Sequence, residues 1–290
     1  MKKHIGYIGL GKMGMSMVER LKEKRWRVET YDISGEGTTK SIEQLAERLG
    51  KPRVVWIMVP AGKPVDAVIE QLVPYLVKGD VVVDGGNSFY EDSIRRGKKL
   101  AQKGILFLDA GVSGGPDTVR DGKPALMIGG EKKVFEKLKP LFQDLTRKES
   151  IGYMGKSGAG HFAKMVHNGI EYGMMQALAE GFSLMKKAPF GLDLQEVARV
   201  YNNGSVIQSR LTGWLESGFA TYGKDLKEAS GRVQHTGEGE WTVKEAKKFG
   251  VPVPAIKAAF DFRVRSGKKP SYTGKILTML RSQFGGHSIK

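Results

Sequence analysis

A chain of 290 residues that is 40% hydrophobic and 27% charged has the balance of a soluble globular protein, long enough for one large or two medium cores. It has no cysteine, which excludes disulfides and thiolate metal sites, and no metal is expected. No run approaches 18 uncharged apolar residues, and the first residues enter a strand with no apolar signal region, so no membrane span is expected and the cytoplasm is the expected compartment. The net charge of +16 is spread in lysine pairs such as Lys132-Lys133 and Lys247-Lys248 beside acidic residues. It reads as solvated surface with a bias toward anionic substrates, and nucleic acid is not an expected partner.

His4–Ile8 reads as a short buried strand, followed at once by Gly9-Leu10-Gly11-Lys12-Met13-Gly14 and then by helical periodicity over Met15–Lys24. Strand, G-x-G-x-x-G and helix together form a dinucleotide-binding turn, in which backbone N–H groups and the helix N-terminus face a pyrophosphate. A second strand, Arg27–Tyr31, ends in Asp32, whose carboxylate suits the two ribose hydroxyls of NAD and repels a 2′-phosphate. With Ile33 next and no arginine at 33 or 34, NAD is favoured over NADP. The continuous apolar run Val54–Val59 predicts a parallel strand buried on both faces, and it stops at Pro60; Val59 and Pro60 are expected beside the cofactor.

Val65–Leu76 reads as a helix and Asp80–Asp84 as a strand ending in Gly85-Gly86-Asn87-Ser88. Asn87 lies past a carboxyl end, where open α/β sheets bind ligands; alternatively it caps a helix over Phe89–Gln102, with Ser88 as the rival cap. Ile105–Asp109 is the next strand, and Gly111 to Pro116 reads as a loop whose donors, at Ser113, Gly114 and Gly115, suit a carboxylate or phosphate. Ala125–Gly129 is a further strand and Val134–Leu145 a helix. The alternation implies an α/β, Rossmann-type doubly wound domain over residues 1–153.

From Gly152 the character changes. A helical pattern runs to about Lys187, and Leu194–Tyr201, Ser209–Glu216, Glu240–Phe249, Ala255–Ser266 and Lys275–Phe284 also read as helices, which implies an all-α domain over residues 154–290. On the first helix, Lys164, His167, Asn168, Glu171 and Tyr172 fall within roughly 140° of arc. Five polar side chains of five types are unusual for a plain solvated face. Lys164 and Glu171 lie about 10 Å apart along the axis, with room for a small polyol between a general base and an acid. The opposite face, Val166, Ile170 and Gly173, is expected to pack inward, and Gly169 and Gly173 to permit close packing on another backbone.

These residues resemble the decarboxylating 6-phosphogluconate dehydrogenase family, through GLGKMG (9–14), GGNS (85–88), SGGP (113–116), GHFAKMVHNGIEYG (160–173), TGEGEWT (236–242) and RSQFGGH (281–287). The length is similar to the family's short form. The resemblance implies that Lys164 takes the C3 hydroxyl proton as hydride leaves for the nicotinamide, and then polarises the 3-keto group. Glu171 would protonate C1 to give ribulose 5-phosphate. Asn87, Ser113, Gly114, Gly115, His167 and Asn168 match substrate-contacting positions, and Tyr172, Arg281 and His287 match positions near the phosphate and sugar chain. In the family the last two come from the neighbouring subunit, so a homodimer or a dimer of dimers is implied. Thr236 stands where the long form has a lysine, and a phosphate-binding arginine falls at Arg263 or Arg265. A sister enzyme acting on 3-hydroxyisobutyrate, or a non-catalytic NAD-binding or nucleic-acid-binding protein on the same fold, are the alternative readings.

Overall fold

The computed structural model describes residues 2–235, 237–285 and 287–290. The chain forms two compact units, Met1–Lys164 and Met165–Lys290.

The first unit contains β1 (His4–Ile8), α1 (Lys12–Glu23), β2 (Arg27–Tyr31), α2 (Ile42–Arg48), β3 (Val54–Ile57), α3 (Lys63–Leu72), β4 (Val81–Asp84), α4 (Tyr90–Ala101), β5 (Leu106–Ser113), α5 (Pro116–Arg120), β6 (Ala125–Gly130), α6 (Lys132–Leu145) and β7 (Ile151–Gly155). The strands form one seven-stranded sheet in the order β2-β1-β3-β4-β5-β6-β7. All neighbours are parallel except β5 and β6, which pair antiparallel from Leu108↔Gly130 to Ser113↔Ala125. Alternation along β3 and β4 fills two cores. Val54, Trp56, Val81 and Val83 pack under α1 and α6, while Val55, Ile57 and Val82 pack under α2 and α3. A strand covered on both faces must be apolar at every position, which is why β3 reads as an unbroken run. The chain order reverses at β1/β3, so a ligand crevice lies past the carboxyl ends of those two strands.

α7 (Ala159–Lys187) starts in the first unit and continues into the second, which adds α8 (Leu194–Tyr201), α9 (Arg210–Tyr222), α10 (Glu238–Lys248), α11 (Pro254–Ser266) and α12 (Tyr272–Gly285). Its core joins Met175, Ala179 and Phe182 of α7 to Leu194, Leu215, Phe219, Ile276, Leu277 and Leu280. Asp193 and Ser209 cap α8 and α9 by accepting amide hydrogen bonds.

Several expectations are corrected. β5 runs on through Gly111 to Ser113, so that segment is strand, held in register by β6, rather than loop. α2 and α5 are short helices without a long apolar period, and β7 is hidden in the sequence by Gly152 and Gly155. The buried face of α7 is Met165, Gly169, Tyr172, Met175, Ala179 and Phe182, so Val166, Ile170 and Gly173 do not pack inward. Ile170 is 51% exposed, and a Cβ at Gly173 would meet nothing within 4 Å. The physical reason is that α10 takes the other side of the helix: a Cβ at Gly169 would lie 2.6 Å from the Thr242 methyl.

Candidate active site

The glycines of the first turn are required for three different reasons. Gly9 has φ +99°, and a Cβ there would sit 2.2 Å from the Met58 carbonyl oxygen. A Cβ at Gly14 would sit 2.1 Å from the Gly9 oxygen, so that glycine seats α1 on the turn. Around Gly11 there is open space, and Gly11 is the N-cap of α1 with no side-chain cap and no acidic residue in the first turn. The first amides and the dipole end of α1 therefore lie beside open space at Gly11, which fits a pyrophosphate. Met13 leans on the core while Lys12 is exposed.

Asp32 closes the far side of this turn. One carboxylate oxygen accepts from the Leu10 amide at 2.6 Å and the other from the Ser34 amide at 2.8 Å. The Leu10 bond, followed by those from Ser34, holds its pKa below the ordinary carboxylate value against partial burial. Each oxygen keeps a lone pair for a ribose hydroxyl. Ile33 is 95% exposed, so no cation stands beside the carboxylate at that position. Val59 touches the Gly9 turn, and Pro60 is exposed beyond it.

After β4, Asp84 is buried and organises the next loop. It accepts from the Gly86 amide and the Ser88 hydroxyl and pairs with Arg96, which also binds Asp66 and the Gly62 carbonyl. Asn87 is thereby presented to solvent at the strand's carboxyl end. The residue in the N-cap position of α4 is Phe89, and Ser88 serves Asp84 instead. Ser113 ends β5, Gly114 turns the chain at φ +136°, and Gly115 is the N-cap of α5.

Lys164 rises from α7 against β5: a Cβ at Gly111 would lie 2.5 Å from the Lys164 Cβ. Further along the same helix, His167 Nδ1 meets Asn168 Oδ1 at 3.0 Å and lies 3.9 Å from Glu171. Tyr172 is buried, with the Arg263 guanidinium 3.3 Å from its ring centroid. Arg263 is 3% exposed and Arg281 7%. Burial is the first cause lowering both, Arg263 to about 10, and the neighbouring Tyr172 and Glu171 side chains oppose it. Arg263 also donates to the Met175 sulfur, at 3.6 Å. Among the described residues no carboxylate lies within ion-pair distance of either guanidinium. Of the two arginines considered from sequence, Arg263 is the one that joins Tyr172, whereas Arg265 is exposed.

Residues 4–155 match the NAD binding domain of 6-phosphogluconate dehydrogenase, and residues 160–277 match the 6-phosphogluconate dehydrogenase C-terminal domain. The chain belongs to the 6-phosphogluconate dehydrogenase family. The NAD(+)-dependent, decarboxylating 6-phosphogluconate dehydrogenase of Haloferax volcanii is 40% identical over 296 residues, covering 98% of each chain. The Plasmodium falciparum 6-phosphogluconate dehydrogenase, solved apo, with NADP+ and with 6-phosphogluconate, superposes with a TM-score of 0.83 at 28% identity over 96% of this chain and 70% of that one. The 3-hydroxyisobutyrate dehydrogenase of Mycobacterium tuberculosis, with a TM-score of 0.72 at 21% identity over 97% of this chain and 100% of that one, shares the fold.

Arg281 lies in the same helical unit as Tyr172. Its guanidinium pKa is lowered mainly by burial, with Tyr172, Glu238 and Glu171 opposing. The tail is tied down locally too, by the Ser230 amide donating to the Ile289 carbonyl at 2.8 Å, with His287 half-buried on the way. Thr236 lies outside the described residues. Sequence reasoning missed Asp84 and Asp109, whose one signal was an acid after an apolar strand run, and Arg96, which reads as an ordinary helix arginine. It also missed Gly239, where a Cβ would lie 2.5 Å from the Tyr172 ring.

Proposed function

We propose that this chain catalyses the oxidative decarboxylation of 6-phospho-D-gluconate to D-ribulose 5-phosphate and carbon dioxide, with NAD preferred over NADP. The observation that carries it is the pair of buried guanidiniums, Arg263 and Arg281, beside Tyr172 with no carboxylate partner within ion-pair distance among the described residues. Buried cations without a close ion pair are costly, and an anionic phosphate on the ligand offsets that cost. NAD, when bound, supplies the hydride acceptor. Lys164 takes the C3 hydroxyl proton and, as ammonium, draws charge onto the C3 oxygen while carbon dioxide leaves. Glu171 returns a proton to C1. His167 and Asn168, adjacent on the same face, orient hydroxyls, and Asn87, Ser113, Gly114 and Gly115 hold the acid end. Tyr172, Arg263, Arg281 and His287 hold the phosphate. In this reading residues 1–153 bind the cofactor at Gly9–Gly14, Asp32, Val59, Pro60 and Asn87, and residues 154–290 bind substrate and a second copy of the chain, in the cytoplasm.

The cofactor preference rests on Asp32, which offers acceptors and a negative charge where a 2′-phosphate would sit. The homodimer rests on the outward face of α7, where Ile170, Met174 and Leu184 are exposed along one stripe. The test is reduced-cofactor formation and carbon dioxide release from 6-phosphogluconate with NAD and, separately, NADP. Turnover with NAD ahead of NADP supports the reading. NADP ahead of NAD overturns the role given to Asp32, and no turnover with either overturns the function. Lys164→Ala should abolish turnover with NAD affinity intact; loss of both would make the lysine structural. Light scattering at micromolar concentration should give a dimer, and Ile170→Glu with Met174→Glu should reduce it to monomer.

A further inference from the structure

α7 has no cap from its own sequence neighbours. Gly158 has no side chain, and the Ser157 hydroxyl donates to the Ser93 carbonyl instead. The cap comes from the sheet. Asp109, on β5 and 0% exposed, accepts from the Gly158 amide at 2.7 Å with one oxygen and from the His161 amide at 2.9 Å with the other. A buried carboxylate on the first amides of a helix satisfies donors that would otherwise be orphaned, and it meets the positive end of the dipole.

The same turn is pressed onto the sheet by glycines. A Cβ at Gly160 would meet the Met127 carbonyl oxygen at 2.5 Å and the Asp109 carbonyl oxygen at 2.6 Å. A Cβ at Gly129 would meet both Asp109 carboxylate oxygens at 2.7 Å. A third hold is the His161 ring, whose Nδ1 lies 2.7 Å from the Ser93 hydroxyl. Lys164 comes only three residues after His161, about 4.5 Å further along the axis. Its stem lies on Gly111, two residues beyond Asp109 on the same strand. The strand that fixes the helix end is thus the strand the lysine rests on.

We propose that Asp109 is a positioning residue for Lys164: by clamping the first turn of α7 to β5 it sets where the lysine ammonium stands relative to the substrate C3 hydroxyl. The proposal rests on the reading of Lys164 as the general base. Misplacing a reacting group by about 1 Å costs on the order of 100-fold in rate. Asp109→Asn keeps the shape and one acceptor but turns an NH2 toward an amide donor, so kcat should fall by about 10- to 100-fold, and Asp109→Ala should fall further. NAD affinity should stay within about twofold, because the glycine turn lies on β1.

The deciding measurement is the primary deuterium isotope effect on kcat with 6-phosphogluconate deuterated at C3. A misplaced base makes hydride transfer more rate-limiting, so Asp109→Asn should raise the effect. A fold defect only lowers the active fraction and leaves the effect at the wild-type value, which would overturn the proposal, as would an unchanged kcat. Asp80→Asn is the control. That carboxylate is equally buried and accepts from the Arg53 and Val77 amides, but it precedes β4 at the other end of the strands. It should lose stability with no change in isotope effect, and an increase equal to that of Asp109→Asn would also overturn the proposal. Hydrogen exchange on the wild-type protein serves if Asp109→Asn does not fold. The Gly158 and His161 amides should be as protected as those of β5; exchange at loop rates would show that the clamp is absent. Exchange needs no substrate, so it decides the clamp even if 6-phosphogluconate is not turned over, an outcome that would instead sink the assigned function.

Discussion

Tyr172 separates two ways of holding a buried guanidinium. Its ring is 5% exposed, with Arg263 over one face at 3.3 Å and a side-chain hydrogen bond between the two. Tyr172→Ala removes a large buried side chain, about 3–5 kcal/mol. It also removes a desolvated cation–π contact worth about 2 kcal/mol. Together that is about 5–7 kcal/mol, a large share of the stability of an ordinary domain, about 5–15 kcal/mol. Tyr172→Phe keeps the ring and loses only the hydroxyl, about 1.5–3 kcal/mol for a bond to a charged group. Urea unfolding followed by far-ultraviolet circular dichroism should therefore show a small fall in midpoint for the phenylalanine variant and a collapse for the alanine variant. The KM for 6-phosphogluconate should rise about tenfold in Tyr172→Phe, an amount that matches about 1.4 kcal/mol, while the KM for NAD holds. Equal destabilisation by the two variants would refute the argument, since it would mean the ring face contributes nothing to holding Arg263.

Gly11→Ala should fold with an unchanged melting temperature yet bind NAD at least tenfold more weakly, because its methyl enters open space on the pyrophosphate side; titration calorimetry and a thermal melt check both halves. Gly14→Ala should melt lower, since its methyl meets the Gly9 carbonyl oxygen. The pKa of Asp32 is depressed in the folded protein, so its contribution to stability is present above the unfolded value of about 3.9 and is lost as pH falls through the folded value. The stability gap between wild type and Asp32→Asn in urea should thus narrow as pH is lowered from 6 toward 3, and a gap that widened would reverse the sign. Inorganic phosphate should raise the melting temperature of the wild type and not that of Arg281→Ala, and equal shifts would place the anion elsewhere.

Much of this was legible because a few residue types have few uses. A strand buried on both faces has to be apolar at every position, so Val54–Ile57 announced itself. A lysine, histidine, asparagine, glutamate and tyrosine on one helical face announced chemistry. What stayed hidden depended on long-range partners. The inward face of α7 is set by α10, and nothing near Ile170 says that Thr242 occupies the other side. Ser113 ends a strand only because β6 returns antiparallel beside it. Asp109 looked like an ordinary strand terminus until the start of α7, 49 residues later, came to rest on its carboxylate.

α7 also acts as a ruler. Lys164 and Glu171 sit on one uninterrupted helix of 29 residues, so their separation and shared orientation are inherited from helical pitch. A single residue inserted between them would turn the acid about 100° around the axis, to the direction Tyr172 now takes, and move it about 1.5 Å. Length changes in descendants of this chain are therefore confined to the connections on either side of that interval. A designer who wished to fit a longer sugar acid between base and acid, with the acid's direction kept, would have to add about one whole turn, roughly 5.4 Å.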